Sequence, residues 1–167
     1  MAASDHKQHA KAQVRVFVVT VSDSRTEETD TSGRAARQLV EAAGHVVAGY
    51  RIVKDEPAEV AAIIRRIADE RLADVVVTSG GTGITTRDST YEAVTSLLDK
   101  RLDGFGEIFR MLSFAEIGSA AMMSRAVGGV HKHVAVFALP GSTGAVKLAL
   151  EKLIIPELGH LVFESHR

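Results

Sequence analysis

A glycine-rich segment followed by an arginine and an aspartate is the part of this sequence best suited to chemistry. The β-branched residues 75–78 lead into Ser-Gly-Gly-Thr-Gly at residues 79–83, and Arg87-Asp88 comes just before a helix-start signal at Ser89. Glycines let a ligand approach the backbone closely, so that consecutive N–H groups can converge on an oxyanion. The segment therefore predicts a strand, a phosphate-binding loop and a helix, in that order.

The residues after this loop exclude the two commonest phosphate motifs. The loop is not followed by the Gly-Lys-Ser/Thr of a P-loop, and the G-x-G-x-x-G pattern of dinucleotide-binding proteins does not occur there. Arg87 offers a fork to phosphate oxygens and Asp88 offers oxygen ligands, so the pair could hold a phosphate and a hydrated Mg²⁺ together. An alternative stays open, because Ser89-x-x-Glu92 reads as a capping box and Asp88 would then only stabilise the helix dipole.

The composition indicates one compact domain and excludes several classes of function. The chain has 167 residues with a formal net charge of −1, and its dispersed basic residues argue against nucleic-acid binding. Its lack of cysteine excludes disulfides, thiolate metal sites and cysteine nucleophiles. No apolar run approaches the ~20 residues of a membrane helix. We expect a disordered N-terminal tail over residues 1–13, a single domain over residues 14–167, and a cytoplasmic protein.

Strands alternate with amphipathic helices along this domain. Residues 14–21 and Val46–Val53 predict strands, as does the run before the glycine segment, and residues 126–139 predict two strands joined by a tight turn. This order predicts an α/β fold, a three-layer α/β/α sandwich with a mostly parallel sheet. Residues 101–107 predict a turn into a helix over residues 108–117. The apolar residues of this helix do not fit one stripe, so it is either buried on several sides or meets another subunit.

Ligands bind outside the carboxyl ends of the strands in such sheets, so these ends predict the site. Asp55 follows the second strand and is expected at the same edge as Asp88, with neighbouring strands about 4.8 Å apart. Two carboxylates, two glycine-containing loops and an arginine in one cleft suit a nucleoside triphosphate with Mg²⁺. An N-cap role for Asp55, ahead of Pro57, stays open. His131 and His133 could bind a metal, but exposure to solvent is the favoured interpretation.

Four motifs together closely resemble the molybdenum cofactor biosynthesis MoaB/MogA family. They are Gly80-Gly81-Thr82-Gly83-x-x-x-Arg87-Asp88-x-Thr90-x-Glu92, Gly104-Phe105-Gly106-Glu107, Ser124-Arg125-Ala126 and Leu139-Pro140-Gly141-Ser142. The likeness covers nearly the whole chain from Val14 and looks most like the B-type branch. It implies a molybdopterin-binding fold and, for active members, Mg²⁺-dependent adenylylation of molybdopterin by ATP, with release of pyrophosphate before molybdate insertion. It also implies a homotrimer or homohexamer and contacts with other proteins of the pathway.

The resemblance assigns roles to the residues at the motif positions. Asp88 and Asp55 match two aspartates of the family, and we expect both to be catalytic and to hold Mg²⁺ on the triphosphate, while Arg87 offsets charge at the α-phosphate. Further substrate contacts are expected from Ser22, Asp23, Ser79, Gly80, Gly81, Thr82, Gly83, Glu107, Pro140, Gly141 and Ser142. Glu107 and Arg125 either orient the pterin or form a structural ion pair. The alternative to an adenylyltransferase is a non-catalytic molybdopterin-binding or carrier protein.

Overall fold

The computed structural model describes residues 12–167, so residues 1–11 of the expected tail lie outside the described residues. The strands are β1 (Arg15–Val21), β2 (Val46–Val53), β3 (Val75–Ser79), β4 (Lys100–Arg101), β5 (Val127–His131) and β6 (Val134–Leu139). The α-helices are α1 (Thr31–Ala42), α2 (Pro57–Asp69), α3 (Thr90–Leu97), α4 (Asp103–Ile117), α5 (Thr143–Ala149) and α6 (Ile155–Ser165). A 3-10 helix (Gly118–Met123) follows α4, and a π-helix (Leu150–Ile154) joins α5 to α6.

The six strands form one sheet in the order β2-β1-β3-β6-β5-β4. Strands β2, β1, β3 and β6 are parallel, whereas β5 and β4 complete one side in antiparallel pairings. Strands β3 and β6 are buried along their whole length, and β1 is buried except at Arg15. Their nearly continuous apolar sequences follow from this, because both faces of the sheet are covered. The expected mostly parallel sheet is confirmed.

Helices cover both faces of the sheet and complete the expected three-layer sandwich. On one face, the α2 stripe of Val60, Ile64 and Ile67 is fully buried, together with residues of α3. On the other face, α1, α4, α5 and α6 pack around a second apolar cluster, in which Phe105 meets Phe137 edge to face at 4.9 Å. The two apolar layers hold the central strands rigidly, so the loops at their carboxyl ends are built on fixed supports.

Helix α4 differs from its prediction at its start and at its surface. It begins at Asp103, so residues 104–107 are helical rather than a turn, and the short strand β4 before it was not predicted. An exposed apolar face runs along α4 and into the 3-10 helix, formed by Ile108, Met111, Phe114, Ile117, Met122 and Met123. Phe114 is 63% exposed and Met122 82% exposed. The irregular apolar pattern is therefore explained by side chains that this chain leaves uncovered.

The turn between β5 and β6 carries the two histidines considered as metal ligands. His133 is exposed as expected, but His131 is buried, with Nδ1 2.8 Å from the carbonyl oxygen of Leu97, so its expected exposure is wrong. Across residues 12–167, no group of three or more His, Cys, Asp or Glu side chains is arranged to hold a metal ion. None of the helices in this range is long and apolar enough to cross a membrane.

Candidate functional site

The glycine loop (residues 80–83) leaves β3 in a conformation that requires glycine. Gly80 and Gly81 have positive φ angles of 102° and 67°. A Cβ on Gly80 would lie 2.2 Å from the carbonyl oxygen of Val21, and one on Gly81 would lie 2.2 Å from Thr90 Oγ1. The Gly80 N–H donates to the carbonyl oxygen of Leu139 at 3.0 Å. The loop is therefore pressed between the ends of β1 and β6 and the first turn of α3.

The Pro-Gly-Ser loop (residues 140–142) after β6 lies against the glycine loop. A Cβ on Gly141 would be 3.2 Å from Gly80 Cα. Ser142 Oγ accepts from the Ala145 N–H at 3.2 Å and thereby caps α5. Arg25, which the sequence did not single out, donates through Nη2 to the Gly141 carbonyl oxygen at 3.1 Å. The two glycine-containing loops meet at one edge of the sheet, and the Ser142 hydroxyl is already used within its own loop.

Asp55 lies at this edge with only 8% of its surface exposed. Its Oδ1 accepts from Ser89 Oγ at 3.1 Å, and its N–H donates to Asp23 Oδ1 at 3.1 Å. The N-cap position of α2 belongs to Glu56, so the capping role considered for Asp55 is wrong. Burial raises the pKa of Asp55, and the charges of Asp88 and Asp23 raise it further. A cation would relieve the cost of ionising this carboxyl group.

Asp88 lies on the other side of the glycine loop in a different environment. Its Oδ2 accepts from Thr85 Oγ1 at 2.6 Å and from the Thr85 N–H at 3.0 Å. The Thr85 hydroxyl lowers the pKa of Asp88 most, and the main-chain N–H groups of Thr85 and Gly83 and the charge of Arg125 lower it too, against a smaller effect of burial. Asp88 is therefore held ionised next to the loop.

The two aspartates flank the glycine loop at close range. A Cβ on Gly81 would lie 2.8 Å from Asp55 Oδ1, and a Cβ on Gly83 would lie 2.6 Å from Asp88 Oδ2. The structure thus brings together the two carboxylates that the sheet order placed at one edge. Their separation along the chain is 33 residues, so only the parallel pairing of the strands makes them neighbours.

The capping box predicted at the start of α3 is wrong. Ser89 occupies the N-cap position, but its side chain makes no capping bond and donates to Asp55 instead. Glu92 forms an ion pair with Arg125. The alternative in which Asp88 only stabilises the helix dipole depended on this capping box and is therefore no longer supported. Ser79 Oγ and Thr90 Oγ1, also at this edge, are buried without a hydrogen-bond partner among the described residues.

Arg87 forms ion pairs with two carboxylates at this edge of the sheet. Its Nε and Nη2 donate to Asp23 at 2.9 and 3.1 Å, and its Nη1 lies 2.8 Å from Glu56 Oε1. Asp23 and then Glu56 raise the pKa of Arg87, and Arg87 in turn lowers the pKa of Asp23. Two residues that were expected to contact substrate separately are bound to each other. These contacts use three of the five guanidinium N–H donors, so one N–H on each Nη is left that could reach a phosphate.

Arg125 binds the carbonyl groups of the glycine loop. Its Nε donates to the Thr82 carbonyl oxygen at 3.0 Å, and its Nη2 donates to the Gly83 carbonyl oxygen at 2.6 Å. Its guanidinium also pairs with both carboxylate oxygens of Glu92 and lies 5.0 Å from the centre of the Tyr91 ring. Arg125 is therefore part of the support of the loop.

The structure gives Glu107 and Ser22 surroundings of their own, and their substrate contacts stay predictions. The ion pair considered between Glu107 and Arg125 is wrong, because Arg125 pairs with Glu92. Glu107 instead lines a separate polar pocket of about 210 Å³ with Arg110 and other residues of α4. Ser22 Oγ accepts from the Ser24 and Arg25 N–H groups and closes the turn after β1.

Comparisons with known proteins agree with this geometry. A family model described as a probable molybdopterin binding domain matches residues 17–160. Molybdenum cofactor biosynthesis protein B of Bacillus subtilis is 57% identical over 169 residues, covering 100% of this chain and 99% of the relative. A crystal structure of a molybdenum cofactor biosynthesis protein B matches with a TM-score of 0.90 and 54% identity, over 93% of this chain and 97% of the other.

A tungsten relative has the same fold. The tungsten cofactor synthesizing protein MoaB from Pyrococcus furiosus matches with a TM-score of 0.83 and 40% identity, over 95% of this chain and 100% of the other.

Proposed function

Because the chain belongs to the molybdopterin-binding domain family and acts in molybdenum cofactor biosynthesis, we propose that it transfers AMP from ATP to molybdopterin in an Mg²⁺-dependent reaction. One observation carries the proposal, the position of Asp55 and Asp88 on either side of a glycine loop at the carboxyl edge of the sheet. Clefts at this edge are the usual ligand sites of open α/β sheets. Acyl transfer by a serine finds no support, because among the described residues no histidine is hydrogen-bonded to the serines of this edge, and His131, His133 and His160 have partners elsewhere.

Mg²⁺ fits the residues of this cleft. The donors are hard carboxylate oxygens, and the ionised form of Asp55 is disfavoured by burial and by neighbouring negative charge. Asp55 and Asp88 would hold the ion, since Mg²⁺ is usually bound by one or two protein carboxylates together with phosphate oxygens and water. When bound, the ion would neutralise charge on the triphosphate and so favour attack at the α-phosphorus.

The residues of the chain supply binding and orientation for the transfer. An oxygen of the terminal phosphate of molybdopterin attacks the α-phosphorus of ATP, the bond to the bridging β-phosphate oxygen breaks, and pyrophosphate leaves. N–H groups of the glycine loop bind phosphate oxygens. Arg87 donates from its Nη groups to the α-phosphate and offsets the charge that develops there. Catalysis is then mainly positioning and electrostatic stabilisation.

The test is the formation of adenylylated molybdopterin from Mg-ATP and metal-free molybdopterin. Asp88→Asn is expected to lower the rate by about 10² to 10³, the usual effect of losing one charge-stabilising group. Asp69→Asn is the matched control, because Asp69 pairs with Lys132 at the opposite edge of the sheet and should leave the rate unchanged. If the native protein binds molybdopterin tightly but forms no product, the adenylyltransferase proposal fails and the carrier function takes its place.

We also propose that the protein forms a homotrimer or homohexamer through the exposed apolar face of α4 and the 3-10 helix. The support is that six apolar side chains on adjacent helical turns are between 44% and 82% exposed. An apolar patch of this kind on a single chain is typical of an interaction surface. The cytoplasmic location and the contacts with other pathway proteins stay predictions.

A further inference from the structure

We propose that Arg125 is a positioning residue that orients Asp88 by fixing the peptide planes of the glycine loop. The inference rests on the proposed function, because it gives Asp88 a role in the transfer. The resemblance left Arg125 either as a pterin contact or as half of an ion pair with Glu107. Its bonds in the structure favour neither of these roles.

The carbonyl groups of Thr82 and Gly83 both point at Arg125. Nε donates to the first at 3.0 Å and Nη2 to the second at 2.6 Å. In a trans peptide the C=O of one residue and the N–H of the next point in opposite directions. With both carbonyls turned to the guanidinium, the N–H groups of Gly83 and Ile84 are turned away from it. Arg125 therefore determines the direction of two successive loop donors.

Asp88 lies next to Gly83. A Cβ on Gly83 would be 2.6 Å from Asp88 Oδ2, and the Gly83 N–H is among the donors that hold the carboxylate ionised, after the hydroxyl and N–H of Thr85. One peptide plane thus has Arg125 at its carbonyl end and Asp88 at its amide end. If that plane rotates, the carboxylate loses a donor and moves relative to Asp55.

Arg125 is held in place by α3 and has little capacity left for a substrate. Glu92 accepts from Nη1 and Nη2, and the Tyr91 ring lies against the guanidinium. With the two loop carbonyls, these bonds use four of the five guanidinium N–H donors. Two-point binding of a phosphate would require Arg125 to give up either a loop carbonyl or Glu92. A positioning role is therefore favoured over direct contact with substrate.

The first test measures the loop itself in the protein without ligands. Amide hydrogen exchange followed by NMR is compared for native protein, Arg125→Gln and Arg15→Gln. Arg15 is the matched control, because it also donates to a carbonyl oxygen, that of Arg71, and to a carboxylate, that of Asp74, but at the opposite edge of the sheet. Arg125→Gln is expected to speed exchange at Gly83 and Thr85 about 10- to 100-fold, the equivalent of losing one charge-assisted hydrogen bond.

The control variant should leave exchange at Gly83 and Thr85 unchanged. Equal protection of these two amides in native protein and Arg125→Gln overturns the inference. Should Arg125→Gln fail to fold, Glu92→Gln takes its place, because it keeps Arg125 and removes the anchor of the guanidinium. Its exchange should then change at the same two amides in the same direction.

The second test separates positioning from substrate binding in the transfer reaction. For Arg125→Ala, kcat should fall about 10²-fold, as expected for a misplaced catalytic group, with KM for molybdopterin and for ATP unchanged. Added guanidinium ion should restore part of kcat, and Arg125→Lys should restore less than the native fork does. A rise in KM with unchanged kcat overturns the positioning role. If native protein makes no product while the exchange result holds, the proposed function fails and the control of the loop by Arg125 stands.

Discussion

Gly81→Ala tests whether the glycine loop requires both a special backbone conformation and close packing. Gly81 has a φ of 67°, and a Cβ there would lie 2.2 Å from Thr90 Oγ1 and 2.8 Å from Asp55 Oδ1. Thr90 is fully buried at the start of α3, so its side chain cannot move out into solvent. The substitution therefore adds strain to the backbone and also displaces a buried neighbour.

The two costs can be given separate magnitudes. A left-handed conformation costs a residue with a Cβ roughly 1 to 2 kcal/mol, and overpacking a buried position costs about 1 to 3 kcal/mol. Together they predict a loss of about 2 to 5 kcal/mol. For a domain of this size, that corresponds to a drop in Tm of roughly 4 to 20 °C. Nucleotide binding should also weaken, because Asp55 is among the atoms displaced.

Substitutions at two other glycines separate the backbone cost from the packing cost, with urea and thermal unfolding as the measurements. Gly44 has a φ of 84° with nothing within 4 Å of a Cβ, so Gly44→Ala should show only the backbone cost of about 1 to 2 kcal/mol. Gly104, in the first turn of α4, has neither a positive φ nor a close neighbour, so Gly104→Ala should be neutral or stabilise by up to about 1 kcal/mol.

A double-mutant cycle isolates the packing cost. Adding Thr90→Ala to Gly81→Ala removes the side chain that the new Cβ would contact, so the two substitutions should show a coupling energy of about 1 to 3 kcal/mol. The reasoning is refuted if Gly81→Ala costs no more than Gly44→Ala, or if the cycle shows no coupling between Gly81 and Thr90.

Three further perturbations have expected outcomes. Asp55→Asn should raise the Tm of the metal-free protein at pH 7 but not below pH 3.8. The pKa of Asp55 is raised in the folded protein, so ionisation of its carboxyl group lowers stability as the pH rises, and asparagine avoids this loss. A gain in Tm that does not depend on pH would contradict this reasoning. Tyr50→Phe should lower the free energy of unfolding in urea by about 1 to 3 kcal/mol, because it removes the hydroxyl that donates at 2.5 Å to fully buried Asp30. Tyr91→Phe, the control, should cause no comparable loss. If the protein forms the proposed oligomer, Phe114→Glu should dissociate it in sedimentation experiments, whereas Arg66→Glu in the opposite helical layer should not. Unchanged assembly of the Phe114→Glu variant would exclude this face.

Local patterns in the sequence were sufficient to predict most of the strands and helices of the fold. The strand Val46–Val53 is observed as predicted, and the apolar stripe of α2 packs on the sheet as its spacing indicates. These features depend on the alternation of apolar residues over a few positions, which the sequence displays directly. The start of α4 was misplaced, because Gly104 and Gly106 suggested a turn where the chain is helical. Tertiary packing of Phe105 against Phe137 accounts for helix formation there despite the glycines.

By itself, the sequence determined the class of fold, the two glycine-containing loops and the shared edge of Asp55 and Asp88, since parallel strands direct their carboxyl ends to one side. Only the tertiary structure decided the partners of the polar side chains. Ser89 binds Asp55 instead of capping its helix, Glu92 binds Arg125, and Arg87 binds Asp23, across 34, 33 and 64 residues. Capping rules consider only neighbours in sequence, whereas a charged partner brought close by the fold forms a stronger hydrogen bond than a local amide.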